Sequence, residues 1–262
     1  MIKNISITKK AIFVILLLLI ILYICYPYFL INIAGLVNST KNKEPLDVVI
    51  AHYKEDLSWV DTDLPSNCRI FIYTKSDQKP NCKRKYIHEY LPNVGRDINT
   101  HLHHIIKYYD KPMNENIIFL PGSCDLLYKK INLYLLIHNI RKYDFNNCTL
   151  TNSYFFKKIF DFTLDNYYIK YGYCSTNKNN RHKNCRLIKY KFENYDEFKK
   201  YFGLQVDYYS YWNMNLIKSK LIHKREKEYY IKLYNVVNNA DNVLNAHFIE
   251  KSWYSIFRLN EL

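Results

Sequence analysis

The sequence predicts an α/β domain with a mostly parallel sheet flanked by helices, preceded by one N-terminal transmembrane helix. Two observations predict this class: a long uncharged apolar stretch near the N-terminus, and beyond it short apolar runs that alternate with an amphipathic segment. Of the 262 residues, 48% are hydrophobic and 17% aromatic, which supplies a packed core and excludes a disordered chain.

The apolar stretch follows three N-terminal lysines, and no charged side chain occurs between Lys10 and Lys41. Its length suffices to cross the hydrocarbon core, which takes about 20 helical residues. By the positive-inside rule the lysines hold the N-terminus in the cytoplasm. A cleavable signal peptide is the alternative, although its apolar region is typically about 7 to 15 residues. We expect a single-pass membrane protein with these parts: a cytoplasmic tail (1–10), a transmembrane signal anchor (11–33), a stem (34–45) and a lumenal or extracellular domain (46–262).

The cysteines and sequons agree with a lumenal domain. One of the 7 cysteines lies in the apolar stretch, and the other six form an even set, as disulfides require. The spacings closest to natural loop closures join Cys68 with Cys82 and Cys174 with Cys185, while other pairings stay open. For Cys124 a disulfide is favoured over a nucleophile. The sequons at Asn38 and Asn147 are candidate glycosylation sites.

The predicted elements of the domain begin with three apolar runs that read as buried strands, each bounded by polar or turn residues. Between the second and third runs, apolar residues from Ile98 to Tyr109 recur at helical spacing. The distal half is less regular and predicts further helices. The predicted strands are Leu46–Ala51, Arg69–Tyr73 and Asn116–Leu120; the later predicted helices are Tyr195–Tyr201, Leu216–Val237 and the aromatic segment Asn245–Phe257.

Polar residues concentrate where these strands end, which is the edge that binds ligands in parallel sheets. The amphipathic helix opens with the segment Asn93–Asp97. A helix N-terminus carries free N–H groups and partial positive charge, and Arg96 adds a fork suited to phosphate. The segment therefore suits a diphosphate. The alternative is that Asp97 caps the helix while Arg96 pairs with a carboxylate.

The basic balance, a formal net charge of +14, raises the question of a nucleic-acid partner. Most of the positive charge is lysine scattered among Asn, Ile and Tyr, whereas nucleic-acid surfaces use arginine and clustered charge. The composition therefore favours a solvated basic face over nucleic-acid binding.

Four separated motifs occur in order along the domain: Val48–Trp59, Asn93–Asp97 with Leu102–Ile106, Ile118–Gly122, and Phe248–Phe257. As a set they resemble an uncharacterised domain family of fungal, other eukaryotic and large-virus membrane proteins, over about residues 46–258. The second motif is also similar to that of bacterial rhamnan-synthesis and related sugar-transfer proteins. The resemblance implies a GT-A-like (Rossmann-like) fold and a distant kinship with GT-A nucleotide-sugar glycosyltransferases.

That kinship implies roles for particular residues. A nucleotide sugar is expected near the first strand end and the helix start, and Glu250 is the expected catalytic base, with Asp97 near the sugar diphosphate. The usual metal-binding Asp-x-Asp is not intact, so Asp125 with His247 is the implied Mn²⁺ or Mg²⁺ pair. A metal-independent mechanism using cationic side chains is equally open. The implied nucleotide-sugar ligands are Tyr53, Lys54, Glu55, Asn93, Gly95 and Arg96.

The sequence thus predicts a glycosyltransferase domain that uses a nucleotide sugar and an unknown acceptor. The alternative is a catalytically inactive GT-A-like scaffold that acts as a membrane-anchored binding or structural protein, and the missing second acid beside Asp125 favours it. For Glu250 the alternative role is a helix N-terminal carboxylate or an ion-pair partner of Arg96. His101 and His104 share a helix face, for which packing is the favoured interpretation.

Overall fold

The computed structural model describes residues 44–141, 144–150, 191–192, 194–206, 208–238 and 244–258, together with positions 12 and 14. The chain divides into two compact units, Met1–Lys43 and Glu44–Leu262. Within the described parts, no helix is long and apolar enough to cross a membrane. The proposed anchor and stem, except positions 12, 14, 44 and 45, lie outside those parts, as do Asn38, Cys174 and Cys185, so these assignments stay predictions.

The second unit is built on one sheet, which in the described residues has six strands in the order β3-β2-β1-β4-β6-β5. Strand β6 runs antiparallel to both of its neighbours, and the other strands share one direction. The predicted mostly parallel α/β sheet is therefore confirmed. The strands are β1 (Leu46–His52), β2 (Cys68–Thr74), β3 (Ile87–Tyr90), β4 (Asn116–Pro121), β5 (Phe145–Leu150) and β6 (Tyr209–Lys218).

Helices cover both faces of this sheet. Alternate residues of β1, β2 and β4 enter two separate cores, one lined by α2, α5 and α6 and the other by α1 and α3. Strand β1 is buried along its whole length, as expected of a central parallel strand. The helices are α1 (Trp59–Asp63), α2 (Arg96–Tyr108), α3 (Leu127–His138), α4 (Tyr195–Phe202), a 3₁₀ turn (Ser219–Lys224), α5 (Lys227–Val237) and α6 (Leu244–Phe257).

Three predicted strands and three predicted helices match β1, β2, β4, α2, α4 and α6 to within a few residues. The single long helix predicted over Leu216–Val237 is wrong. Leu216 and Ile217 end strand β6, where they pair with β4 and β5, and a 3₁₀ turn separates that strand from α5. The apolar residues of this stretch serve two elements, because the chain leaves the sheet before it becomes helical.

The predicted disulfide between Cys68 and Cys82 is wrong, since both residues are free thiols, as is Cys124. The Cys68 thiol donates to the Pro65 carbonyl at 3.0 Å and lies 3.2 Å from the Arg84 guanidinium, so local contacts hold it. The Cys124 thiol is buried and donates to the Pro121 carbonyl at 3.2 Å. Burial raises the pKa of the Cys124 thiol, which disfavours the reactive thiolate.

Candidate functional site

The strand order puts a topological switch point at the carboxyl ends of β1 and β4. Strand β1 has β2 on one side and β4 on the other, and such a switch point is where open α/β sheets bind ligands. At this point the Gly122 N–H donates to the Ala51 carbonyl at 2.7 Å. The Trp59 indole N–H donates to the Gly122 carbonyl at 2.9 Å. These two hydrogen bonds link the ends of β1 and β4 to each other and to α1.

The turn after β1 carries three of the predicted nucleotide ligands. The Glu55 carboxylate accepts the backbone N–H groups of Tyr53 and Lys54 at 2.7 and 3.1 Å, so it shapes its own turn. A Cβ on Gly122 would lie 2.7 Å from Glu55 Oε2, so glycine leaves room for this carboxylate. The side chains of Tyr53 and Lys54 are exposed, and the Lys54 amine lies 5.5 Å from the Tyr53 ring centroid.

The start of α2 carries the other predicted ligands in a strained turn. Gly95 and Arg96 both have a left-handed backbone, with φ of 60° and 53°, and Asn93 is exposed just before them. The Lys75 amine, at the end of β2, donates to the Val94 and Arg96 carbonyls at 2.6 and 2.5 Å. This lysine is 8% exposed and braces the turn that aims Arg96. Sequence reasoning missed Lys75, although its position directly after a buried strand was a usable signal.

Titration of Lys75 gives a pH prediction. Burial lowers the pKa of Lys75 to about 8, and the Asp97 carboxylate opposes part of this shift. In the unfolded chain the pKa of a lysine is roughly 10.4. Between pH 8 and about pH 10 the unfolded chain therefore binds more protons at Lys75 than the folded chain does. Lys75 thus makes the free energy of unfolding rise with pH. We expect the free energy of unfolding of the wild type to rise over this range relative to Lys75→Met. Denaturant unfolding at successive pH values measures the difference, and parallel pH curves would contradict it.

Arg96, His247 and Glu250 are joined by hydrogen bonds, although 151 residues separate the first two in sequence. The Arg96 Nη1 group lies 3.1 Å from His247 Nε2, and His247 Nδ1 lies 3.3 Å from Glu250 Oε2. A guanidinium can only donate, so Nε2 accepts and Nδ1–H donates to the carboxylate. This assigns a neutral imidazole between a cation and an anion. We call these three side chains the relay.

The other carboxylate oxygen of Glu250 ties the relay to the sheet. Glu250 Oε1 accepts the Trp212 backbone N–H at 2.6 Å, at the start of β6. Among the described non-glycine residues, a positive φ occurs at Arg96, Trp212 and Asn213, which all lie around the relay. The Asn213 side chain accepts the Trp253 indole N–H at 3.3 Å, which holds the distorted strand. Backbone strain concentrates at functional sites, and here it lies at both ends of the relay.

Asp97 is half-buried at the same edge, one turn before His101 on α2. Burial lowers the pKa of His101 to about 4, although Asp97 and Glu250 raise it, so this histidine is neutral at physiological pH. His101 and His104 pack in the core, as expected. His101 Nε2 lies 3.4 Å from the Leu120 carbonyl, and His104 Nδ1 lies 2.9 Å from the Tyr73 hydroxyl.

One of the two residues implied as Mn²⁺ or Mg²⁺ ligands, His247, is engaged in other contacts. In the described parts of the chain, no group of three or more His, Cys, Asp or Glu residues is placed to hold a metal ion. Asp125 is exposed just past Cys124. The relay engages both ring nitrogens of His247, so this tautomer presents no lone pair to a metal ion. The cationic side chains are the better candidates for a bound diphosphate.

A row of hydrogen-bonded side chains also lies at this edge of the sheet. A hydrogen-bonded row crosses the ends of β1, β2 and β3: His52 Nδ1 lies 3.1 Å from the Thr74 hydroxyl, which lies 2.9 Å from His88 Nε2. Sequence reasoning missed this row, because the short strand β3 carries no clear apolar pattern. At the other end of the described strand order, Asn147 lies in β5 and pairs with Asn215, and its glycosylation stays a prediction.

No protein-family model, no curated protein and no solved structure significantly matches this sequence. The family resemblance drawn from the four motifs therefore stays a prediction, and the function is argued from the site.

Proposed function

We propose that this chain is a single-pass membrane protein whose lumenal or extracellular domain transfers a sugar from a nucleotide donor to an acceptor hydroxyl. The observation that carries the proposal is the relay at the carboxyl edge of the sheet. It joins a cation suited to a diphosphate, through a neutral imidazole, to a carboxylate suited to act as a base. Sugar transfer from a nucleotide diphosphate needs both groups close together.

On this proposal, Arg96 and the N–H groups at the start of α2 hold the diphosphate, and Tyr53 with Lys54 contacts the nucleotide. A helix N-terminus and a guanidinium both favour a dianionic group. Lys75 is a positioning residue, because it acts through the carbonyls of the turn and not on the ligand. Arg96 neutralises charge on the departing nucleotide without a metal ion.

Glu250 would act as the catalytic base. The acceptor oxygen attacks the anomeric carbon, the bond from that carbon to the diphosphate oxygen breaks, and the acceptor proton passes to the Glu250 carboxylate. The two hydrogen bonds to Glu250, from Trp212 N–H and from His247, fix the carboxylate in place. The side chain is 17% exposed, so solvent and an acceptor can both reach it.

A catalytically inactive scaffold is the second candidate. The single acid at Asp125, where an Asp-x-Asp is usual, favours it. It differs from the first candidate in a measurable way, because a scaffold that kept only its architecture binds no nucleotide sugar, or binds one without releasing nucleotide.

The test is a thermal-shift titration of the full-length protein in detergent with UDP-, GDP- and CMP-sugars, each with and without Mn²⁺. We expect one nucleotide class to stabilise the folded protein, by about 2.7 kcal/mol when the ligand is at 100 times its Kd. We also expect the shift to persist when EDTA replaces Mn²⁺, since the proposed diphosphate site is cationic. A shift that requires Mn²⁺ would contradict the metal-independent site, and no shift with any donor would contradict the transferase.

A further inference from the structure

Two large aromatic side chains lie exposed beside the relay. Tyr128, at the start of α3, is 46% exposed, and Trp212 of β6 is 37% exposed. Their ring centroids are 5.3 Å apart and their planes meet at 60°. Leu126 and Leu127, which precede Tyr128 in the chain, are also exposed, at 44% and 39%. We call Tyr128 and Trp212 the aromatic pair.

The backbone at Trp212 indicates that this exposure is specific. At Trp212, φ is 63°, a left-handed backbone conformation that costs free energy and that bulky residues rarely adopt. Two hydrogen bonds hold that conformation. The Glu250 carboxylate accepts the backbone N–H of Trp212, and the Asn213 side chain accepts the indole N–H of Trp253. Trp59 and Trp253, by contrast, are buried, at 4% and 1% exposed. The strained strand therefore presents one indole to solvent at the site.

The chemistry around the aromatic pair selects its occupant. A pyranose ring has an apolar C–H face that stacks on an aromatic ring and a rim of hydroxyl groups that hydrogen-bond. The backbone N–H of Trp212 donates to Glu250 Oε1 at 2.6 Å, so the residue that carries the exposed indole is bonded directly to the proposed base. An anionic occupant would instead meet the carboxylate of Glu250.

We propose that the aromatic pair binds a pyranose ring of a neutral saccharide, which is the acceptor of the transfer. That the saccharide is the acceptor rests on the proposed function. The saccharide site itself stands on the exposure, the strain and the position of the pair.

The test uses full-length protein in a detergent without a sugar headgroup, probed with neutral disaccharides: lactose, cellobiose, chitobiose and mannobiose. Because Trp212 is the exposed one of the three tryptophans, acrylamide quenching of fluorescence reports on it. We expect one disaccharide to protect Trp212 in a saturable way and Tyr128→Ala to weaken its binding about tenfold. The matched control is Tyr90→Ala, 52% exposed on β3 at the far edge of the sheet, which should bind as the wild type does.

Several results would overturn the inference: no protection by any disaccharide, equal effects of Tyr128→Ala and Tyr90→Ala, or quenching of Trp212 by brominated phosphatidylcholine in reconstituted vesicles. The last would assign the pair to the membrane surface. Donor binding is measured separately, and Tyr128→Ala should leave it unchanged. If the protein binds a nucleotide sugar but no disaccharide, only this inference fails. If it binds a disaccharide but no nucleotide sugar, only the proposed transferase activity fails.

Discussion

Glu250→Gln is expected to lower the rate of nucleotide release from the donor by about 10²- to 10⁴-fold, the usual contribution of a general base. Glutamine keeps an oxygen that can accept the Trp212 N–H, so the tie between α6 and β6 survives. It removes the group that takes the acceptor proton. The measurement is the steady-state release of nucleotide from the donor found in the titration, with kcat and KM determined separately.

The matched control for that variant is Glu89→Gln. Glu89 is also a carboxylate beside a histidine, 3.2 Å from His103 Nε2, but it lies on β3 at the far edge of the sheet. Its rate should equal that of the wild type. A normal rate in Glu250→Gln, or equal losses in both variants, would remove Glu250 from the chemistry.

Gly95→Ala is expected to destabilise the domain and displace the start of α2. A Cβ at this position would lie 2.5 Å from the Val237 carbonyl oxygen and 2.7 Å from the Asn99 Cβ, and φ is +60°. The backbone cost is about 1 kcal/mol, and the collision adds roughly 1–3 kcal/mol, because the neighbours belong to two packed helices. Because the same turn aims Arg96, donor affinity should fall as well.

Gly203→Ala separates the two costs. Gly203 has the same φ of +60°, but a Cβ there would meet nothing within 4 Å. We expect it to cost about 1 kcal/mol and to leave donor affinity unchanged. Denaturant unfolding of both variants gives the comparison. Equal losses of stability would show that the contact with Val237 is unimportant.

The central elements could be predicted from the sequence because burial on both faces leaves a simple apolar pattern. The strands β1, β2 and β4 and the helix α2 are such elements. The end of strand β6 falls inside a predicted helix, since Leu216 and Ile217 alone do not tell a strand from a helix. Strand β3 has only four residues, partly exposed, and gave no signal.

Parts of the candidate site could be predicted and parts could not. Arg96 and Glu250 were selected separately, but no local pattern states that His247 lies between them, because that contact depends on how α6 packs against α2. The brace from Lys75 depends in the same way on the turn it supports. The Cys68–Cys82 pairing failed because sequence spacing says nothing about which way two thiols point.

Donor binding at Arg96 tests the account most directly. The measurement is equilibrium binding of the stabilising nucleotide sugar to the full-length wild type, Arg96→Met and Arg258→Met. Arg258 carries the same charge but contacts Tyr254 at the end of α6. Loss of a charge-assisted contact should weaken binding about 10- to 100-fold in Arg96→Met and leave Arg258→Met unchanged. Unchanged affinity in a folded Arg96→Met protein would contradict the proposed diphosphate site.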